Sequence, residues 1–439
     1  MNKQVLLTGL FLAASGCSLE IDDLNNPSRR SLQESPTSSL VNAAAVGMVV
    51  GNRVDIADQA GYVSVLGIIG RESYVFDPAD PRFVSVLLES EELPGDGRFG
   101  GGFWSAPYRN IQTGNLTLGA LEKVAMTDEE KAGIGGFVKT MQALDLLVVI
   151  NTHYDSGAVV ETTREFGDEL PPIENREVAY NRIAELLDDA HANLLEGGSA
   201  FSFKLPSGFD GFNTPTDFAT FNRGVRARVA AYQEDWDSAL DALENSFLST
   251  EASLDIGVFH NYALGQGDVQ NGLVTPNLFA HPSILADVEL KADGEPDDRY
   301  TRKVREVETG GAQAGLSSNL KFNIYPSPTS PVSILRNEEL VLLRAEANIG
   351  LGNIAAAAED LNFIRETSGG LAPKTDITAE NAIDELLTQR RYSLLFEYGH
   401  RWIDMRRYGK LGELPRDLEN HFVLESFSLP LDEQNARGL

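Results

Sequence analysis

The 439-residue chain has one cysteine, Cys17, so no disulfide can close within it. Cations are scarce: 36 Lys and Arg stand against 65 Asp and Glu, a formal charge of −29. That deficit excludes a nucleic-acid binder, which must neutralise phosphates with clustered cations. It also excludes adhesion to anionic lipid through a basic face. The six histidines (His153, His191, His260, His281, His400 and His421) fall in no His-Glu-x-x-His or related zinc spacing. No Gly-x-Ser-x-Gly elbow occurs, and no Gly-Lys-Ser/Thr follows the glycines of 95–102, so no phosphate loop is present. The acidic run Asp293–Asp298 lacks calcium-loop spacing. No catalytic residue, metal ligand or cofactor is predicted, and the expected class is a non-enzyme.

Long apolar runs are also missing, apart from one at the start. Met1-Asn-Lys3 leads into Val5–Ala14, far short of the roughly 20 residues that cross a bilayer. Small residues Ala14-Ser-Gly16 then precede Cys17. This is the pattern of a lipoprotein signal, predicted to leave at residues 1–16 with Cys17 lipidated. No other segment reads as apolar enough to span, so the predicted anchor is lipid, with the rest of the chain in water.

What is present is helical periodicity. Residues 17–36 read as a polar tether. Residues 37–70, 103–248 and 336–409 read as a helical scaffold, and 71–102 and 249–335 as loop-rich insertions broken by Pro and Gly. The spacing predicts helices over 37–53, 56–70, 103–124 and 128–154, the last capped at Thr127. Further helices are predicted over 176–195, with Val178, Ile183, Leu186, Leu187, Ala190 and Leu194 inward, and over 216–232 and 235–248. Trp104, Tyr108, Ile111, Asn115 and Leu118 form one stripe, which makes Trp104 a core residue. His153 reads as a structural donor near a helix end.

The most telling stretch is 336–409. Leu340, Leu343, Ala347 and Leu351 share a face, Gly352-Asn353 supplies a left-handed stop, and Ile354, Ala357, Leu361 and Ile364 repeat the spacing. Two helices joined by so tight a turn form a tetratricopeptide-like hairpin. A third helix is predicted to carry Ile383, Leu387, Leu394 and Tyr398 inward. Arg390, Arg391, Glu397, Arg401, Asp404 and Arg406 fall at helical spacings and read as ion-pair bracing of packed helices.

The order Arg344-Ala-Glu-Ala347, Gly352-Asn353, Asp360-Leu-Asn362, Arg390-Arg391, Phe396-Glu397, Gly399-His-Arg-Trp402 and Asp404-Met-Arg-Arg407-Tyr-Gly409 resembles the C-terminal signature of the SusD/RagB family. Gln389 stands where the family usually has Glu. Trp104-x3-Tyr108, Asp298-Arg299 with Lys321-Phe322, and the tail Phe427-Ser-Leu-Pro430 are similar to further family elements, and Glu20, Asp22 and Asp23 resemble a surface-export tag. The resemblance implies a single mainly α domain over 17–439, with tetratricopeptide-like hairpins and a loop-rich ligand-binding half. It implies a nutrient-binding lipoprotein facing the cell exterior and partnering a SusC-like TonB-dependent transporter. The ligand expected is an oligosaccharide, held on the loop half by stacking and hydrogen bonds. Candidate contacts are Tyr74, Phe76, Asp77, Asp80, Arg82, Tyr262, Asp268 and Asn271, with Gln266, Phe279 and His281 beside them.

Three other readings stand beside this one. The family also includes peptide importers, and an acidic chain suits cationic peptides. A helical-repeat adaptor would bind a peptide and no sugar. A secreted hydrolase would need two carboxylates set across a cleft.

Overall fold

The computed structural model describes residues 29–95, 99, 101–164, 167–266 and 268–439. The predicted signal segment 1–16, Cys17 and the tether up to residue 28 lie outside the described residues. The helices of eight residues or more are α1 (Ser38–Asn52), α2 (Tyr62–Ile69), α3 (Gly102–Leu121), α4 (Asp128–His153), α5 (Arg176–Leu195), α6 (Pro215–Tyr232), α7 (Trp236–Glu244), α8 (Asn337–Gly350), α9 (Ile354–Thr367), α10 (Ala382–Ser393) and α11 (His400–Arg407). Local chemistry starts several of them. The Thr37, Thr127, Asn175 and Thr214 side chains each accept a first-turn N–H, and Glu130 returns the bond to the Thr127 backbone.

Successive helices pack on one another from α3 through α7, with α1 against α3 and α4. The series resumes at α8, which packs on α6 and α7 as well as on α9 and α10. Small residues set that junction: Ala230, Ala239 and Ala347 meet beside the Trp236 ring. A β-carbon added at Gly350 would stand 2.3 Å from that ring, so only glycine fits there. The fold is mainly α, in tetratricopeptide-like hairpins, and the 249–335 insertion sits in sequence between α7 and α8.

Helix α4 is the spine. Among the described residues it is the one helix long and apolar enough to cross a membrane, whereas the sequence reading expected no segment of the chain to qualify. Its apolar window is 94% buried inside the protein, which marks it as a core helix. It also carries Asp145 into the core, where Asn52 and Asn110 donate to the two carboxylate oxygens, each at 2.7 Å. Burial raises that carboxyl well above the usual range, against the pull of the two amides.

Three expectations need correction. The second helix begins at Tyr62 and not at residue 56, because Asp55 is in the left-handed region (φ 58°) and residues 56–61 turn. Val178 is exposed, since it lies in the first turn of α5, before that helix settles on its neighbours. Tyr398 lies beyond the third helix of the C-terminal block. Helix α10 stops at Ser393, and Phe396 (φ 55°) and Tyr398 (φ 49°) both take left-handed backbone.

The strands are β1 (Ser73–Val75), β2 (Gly257–His260), β3 (Leu278–Ala280), β4 (Val304–Gln313), β5 (Leu316–Phe322) and β6 (Val332–Arg336). They form three antiparallel pairs: β1–β3, β2–β6 and β4–β5. The first ties the two insertions together, with Tyr74 opposite Phe279. The second fastens the long insertion to the entrance of α8, with Gly257 opposite Arg336.

Candidate ligand cleft and its support

The C-terminal block is the support. Arg336, at the end of β6, donates from Nε and Nη2 to Glu397 at 2.9 Å each, from Nη1 to Glu338 at 3.0 Å, and from Nη2 to the Ser393 carbonyl. Lys303 adds a bond to Glu397 at 3.1 Å. Arg390 grips Asp404 at 2.6 and 3.1 Å, Arg228 grips Glu339 at 2.6 and 2.7 Å, and Arg407 reaches Glu346 at 2.7 Å. All of these side chains are largely buried. Burial alone would raise the Glu338 and Glu339 carboxyls, but Arg336 and Arg228 override it and hold each near about 2. These groups are matched buried charges, the bracing that the spacing predicted. Arg406 braces differently, by donating to the Glu425 and Asn151 carbonyls and lying over Tyr154 and Trp402. Arg391 pairs outward with Asp287 at 2.7 Å. The Arg401 side chain makes no hydrogen bond or close ion pair among the described residues, though it feels the charges of Glu72 and Asp404.

Against this block lies a cavity of about 540 Å³ in the loop half. One wall is Leu273–Leu278, the other the β4–β5 hairpin with the segment after it, and none of α1–α11 lines it. Its floor is fixed to the left-handed turn of the C-terminal block. Phe322 stacks on Phe396 with centroids 4.2 Å apart and planes 7° apart, and the Tyr325 hydroxyl donates to the Phe396 carbonyl at 3.0 Å. Lys321 is held by the Pro276 and Leu278 carbonyls, with Nζ 3.4 Å from the Phe279 ring centre. Burial lowers its ammonium to about 8. The Arg305 guanidinium and the Asn323 amide also line the cavity and have no protein partner among the described residues. An apolar floor with a few converging donors is the make-up of a small-molecule site.

None of the sequence-predicted contacts lines this cavity. Tyr74, Phe76, Phe279 and His281 form one buried aromatic group, with Tyr74 2% exposed and successive centroids 4.8–5.4 Å apart. None of these rings has a face free in solvent. Asn271 is buried and holds the wall, donating to the Ser330 carbonyl and capping Leu273. Asp77 accepts from Gln59 at 2.6 Å, and Gln59 in turn accepts from Thr275 on the rim. Asp80 chelates Arg82 at 2.7 and 3.0 Å away from the cavity lining. Tyr262 is buried, and Asp268 and Gln266 are on the surface loop beyond it, where Asp268 pairs with Arg53. The acidic run at 293–298 serves its own cations: Asp297 binds Arg299, and Asp298 binds Lys291 at 2.8 Å. The cavity lining includes Val274, Arg305, Asn323 and Tyr325, which sequence reasoning did not name as contacts. The signal within reach was Lys321-Phe322, noted for its resemblance but not followed to its neighbours.

Trp104 and His153 are both buried and pack edge to face at 4.9 Å. Burial lowers His153 to about 4, so it is neutral at ordinary pH.

Residues 326–435 match the sequence profile of the SusD family. A SusD-like protein of Formosa agariphila is 29% identical over 150 residues, a match that reaches 32% of this chain and 29% of that one. The fold is similar to a SusD-like carbohydrate binding protein from Bacteroides fragilis, at TM-score 0.69 and 15% identity, over 92% of this chain and 99% of that one. It is also similar to surface glycan-binding protein A from Bacteroides uniformis, at TM-score 0.67 and 15% identity, over 90% of this chain and 97% of that one. The C-terminal block is thus similar in sequence to the SusD family, and the fold is that of SusD-like proteins over nine-tenths of the chain.

Proposed function

We propose that this protein is a glycan-binding component of a nutrient-uptake system, a non-catalytic lipoprotein of the outer membrane. It faces the exterior through a lipid on Cys17 and passes an oligosaccharide to a SusC-like TonB-dependent transporter. The observation that carries the reading is the loop-half cavity, where Phe322 and Tyr325 are fixed by the family's C-terminal turn and Arg305 and Asn323 are unpaired. A sugar ring offers an apolar face for the floor and hydroxyls for the donors. The glycan-binding relatives of the same fold support the choice of ligand class.

Thermal-shift and calorimetric titration of the protein lacking residues 1–17, against oligosaccharides and peptides, tests this reading. A sugar response without release of reducing ends is the expected result. A peptide response with no sugar response would reassign the protein to peptide capture, and release of reducing ends would make it a hydrolase.

A further inference from the structure

A second cavity, of about 310 Å³, lies between α10, α11 and the segment after α11. Its lining is mostly charged. Three cations (Arg391, Arg401 and Lys410) and three carboxylates (Asp287, Asp384 and Glu413) face it, with Thr388 and Tyr392. The carboxylates are already matched. Arg391 holds Asp287 at 2.7 Å, and Lys410 holds both Asp384 at 3.0 Å and Glu413 at 2.8 Å. One cation is therefore left over. Arg401 is half-buried, lines the cavity, and makes no hydrogen bond or ion pair among the described residues. Every other arginine of 336–409 has a carboxylate, carbonyl or ring partner.

A half-buried guanidinium that lines a cavity and makes no hydrogen bond there has its planar fork open to a bidentate oxyanion. We infer that Arg401 and Lys410 form a binding site for a small oxyanion, a carboxylate or a sulfate. The cavity has room for a single acidic or sulfated sugar ring, or for the free ion. The site is separate from the loop-half cavity and shares none of its lining residues. Burial, then repulsion from Arg391, lowers the Arg401 guanidinium to about 10, against the weaker pull of Glu72 and Asp404.

The test is calorimetric and thermal-shift titration of the purified protein with sodium sulfate, acetate, glucuronate and a sulfated monosaccharide. Chloride is used to hold ionic strength constant, and glucose is the neutral control. Saturable binding of at least one oxyanion is expected, weakened about tenfold or more in Arg401→Gln. Arg401→Lys, which keeps the charge but loses the fork, is expected to weaken it less. Tighter binding of the sugar acids than of the free ions would identify a saccharide as the source, and equal binding would identify the free ion. Because Arg401 holds no partner, Arg401→Gln is expected to melt no lower than the native protein, whereas a brace would melt lower. If that variant does not fold, Lys410→Met replaces it, since its two carboxylates are exposed. No saturable response up to roughly 100 mM, or equal affinity in the native protein and the variants, would overturn the site.

Discussion

Glu72→Gln isolates what one buried carboxyl costs at the joint between loops and scaffold. Glu72 immediately precedes β1 and is 1% exposed. One carboxylate oxygen accepts from the Phe396 N–H at 3.2 Å, the other has no partner, and its carbonyl accepts from the His281 N–H at 2.9 Å. Burial pushes the carboxyl from 4.5 up to about 7, with the Phe396 N–H and Arg401 opposing only in part. The folded value lies above the unfolded one. As pH rises between the two, the unfolded chain releases a proton that the folded state keeps. The contribution to stability is therefore full below about pH 4.5 and is lost as pH rises toward and past 7. A gap of 7 − 4.5 units at 1.36 kcal/mol each is about 3 kcal/mol. Glutamine is neutral throughout and keeps an acceptor for Phe396. The stability difference between variant and native protein is thus expected near zero at about pH 4, growing to about 3 kcal/mol in the variant's favour by about pH 8. Urea unfolding at several pH values, with matched slopes for the two proteins, measures it. A difference that does not change with pH, or a variant less stable at alkaline pH, would refute the reasoning.

Other perturbations probe the support. Arg336→Gln takes the arginine from Glu338 and leaves Glu397 with Lys303 alone, and is expected to cost about 3–5 kcal/mol in chemical denaturation, with Arg336→Gln/Glu397→Gln recovering part of the loss. Gly350→Ala drives a methyl into the Trp236 ring and is expected to lower stability by about 1–3 kcal/mol, read as a drop in melting temperature with the far-UV spectrum retained. Asp145→Ala leaves the Asn52 and Asn110 amides without their acceptor and is expected to cost about 1–3 kcal/mol by the same measurement.

The helices were legible because their causes are local. Thr37 and Thr127 announce their own helices, and the i, i+3, i+7 spacing of Leu340, Leu343 and Ala347 places all three in the core. Charged residues at helical spacing announced bracing, yet the partners are far away in sequence: Arg336 with Glu397, Arg228 with Glu339, Arg391 with Asp287. Spacing cannot tell which arginine ends without a partner, and Arg401 was counted with the others. The loop half was legible only as irregular chain. Its shape comes from pairings such as Ser73 with Ala280 and Gly257 with Arg336, which no local pattern encodes. Aromatics chosen for their type, Tyr74 and Phe76 above all, were drawn into the core by those pairings. The cavity floor fell instead to Phe322 and Tyr325, clamped by a left-handed Phe396 that the helical pattern had hidden.

Glycan capture in the loop-half cavity is tested most directly by calorimetric titration of the best-binding oligosaccharide against the double variant Arg305→Ala/Asn323→Ala. Neither side chain has a protein partner among the described residues, so the fold is expected to stand. Affinity at least about tenfold weaker than native is the result expected. Native affinity in the double variant would place the sugar elsewhere and contradict the assignment.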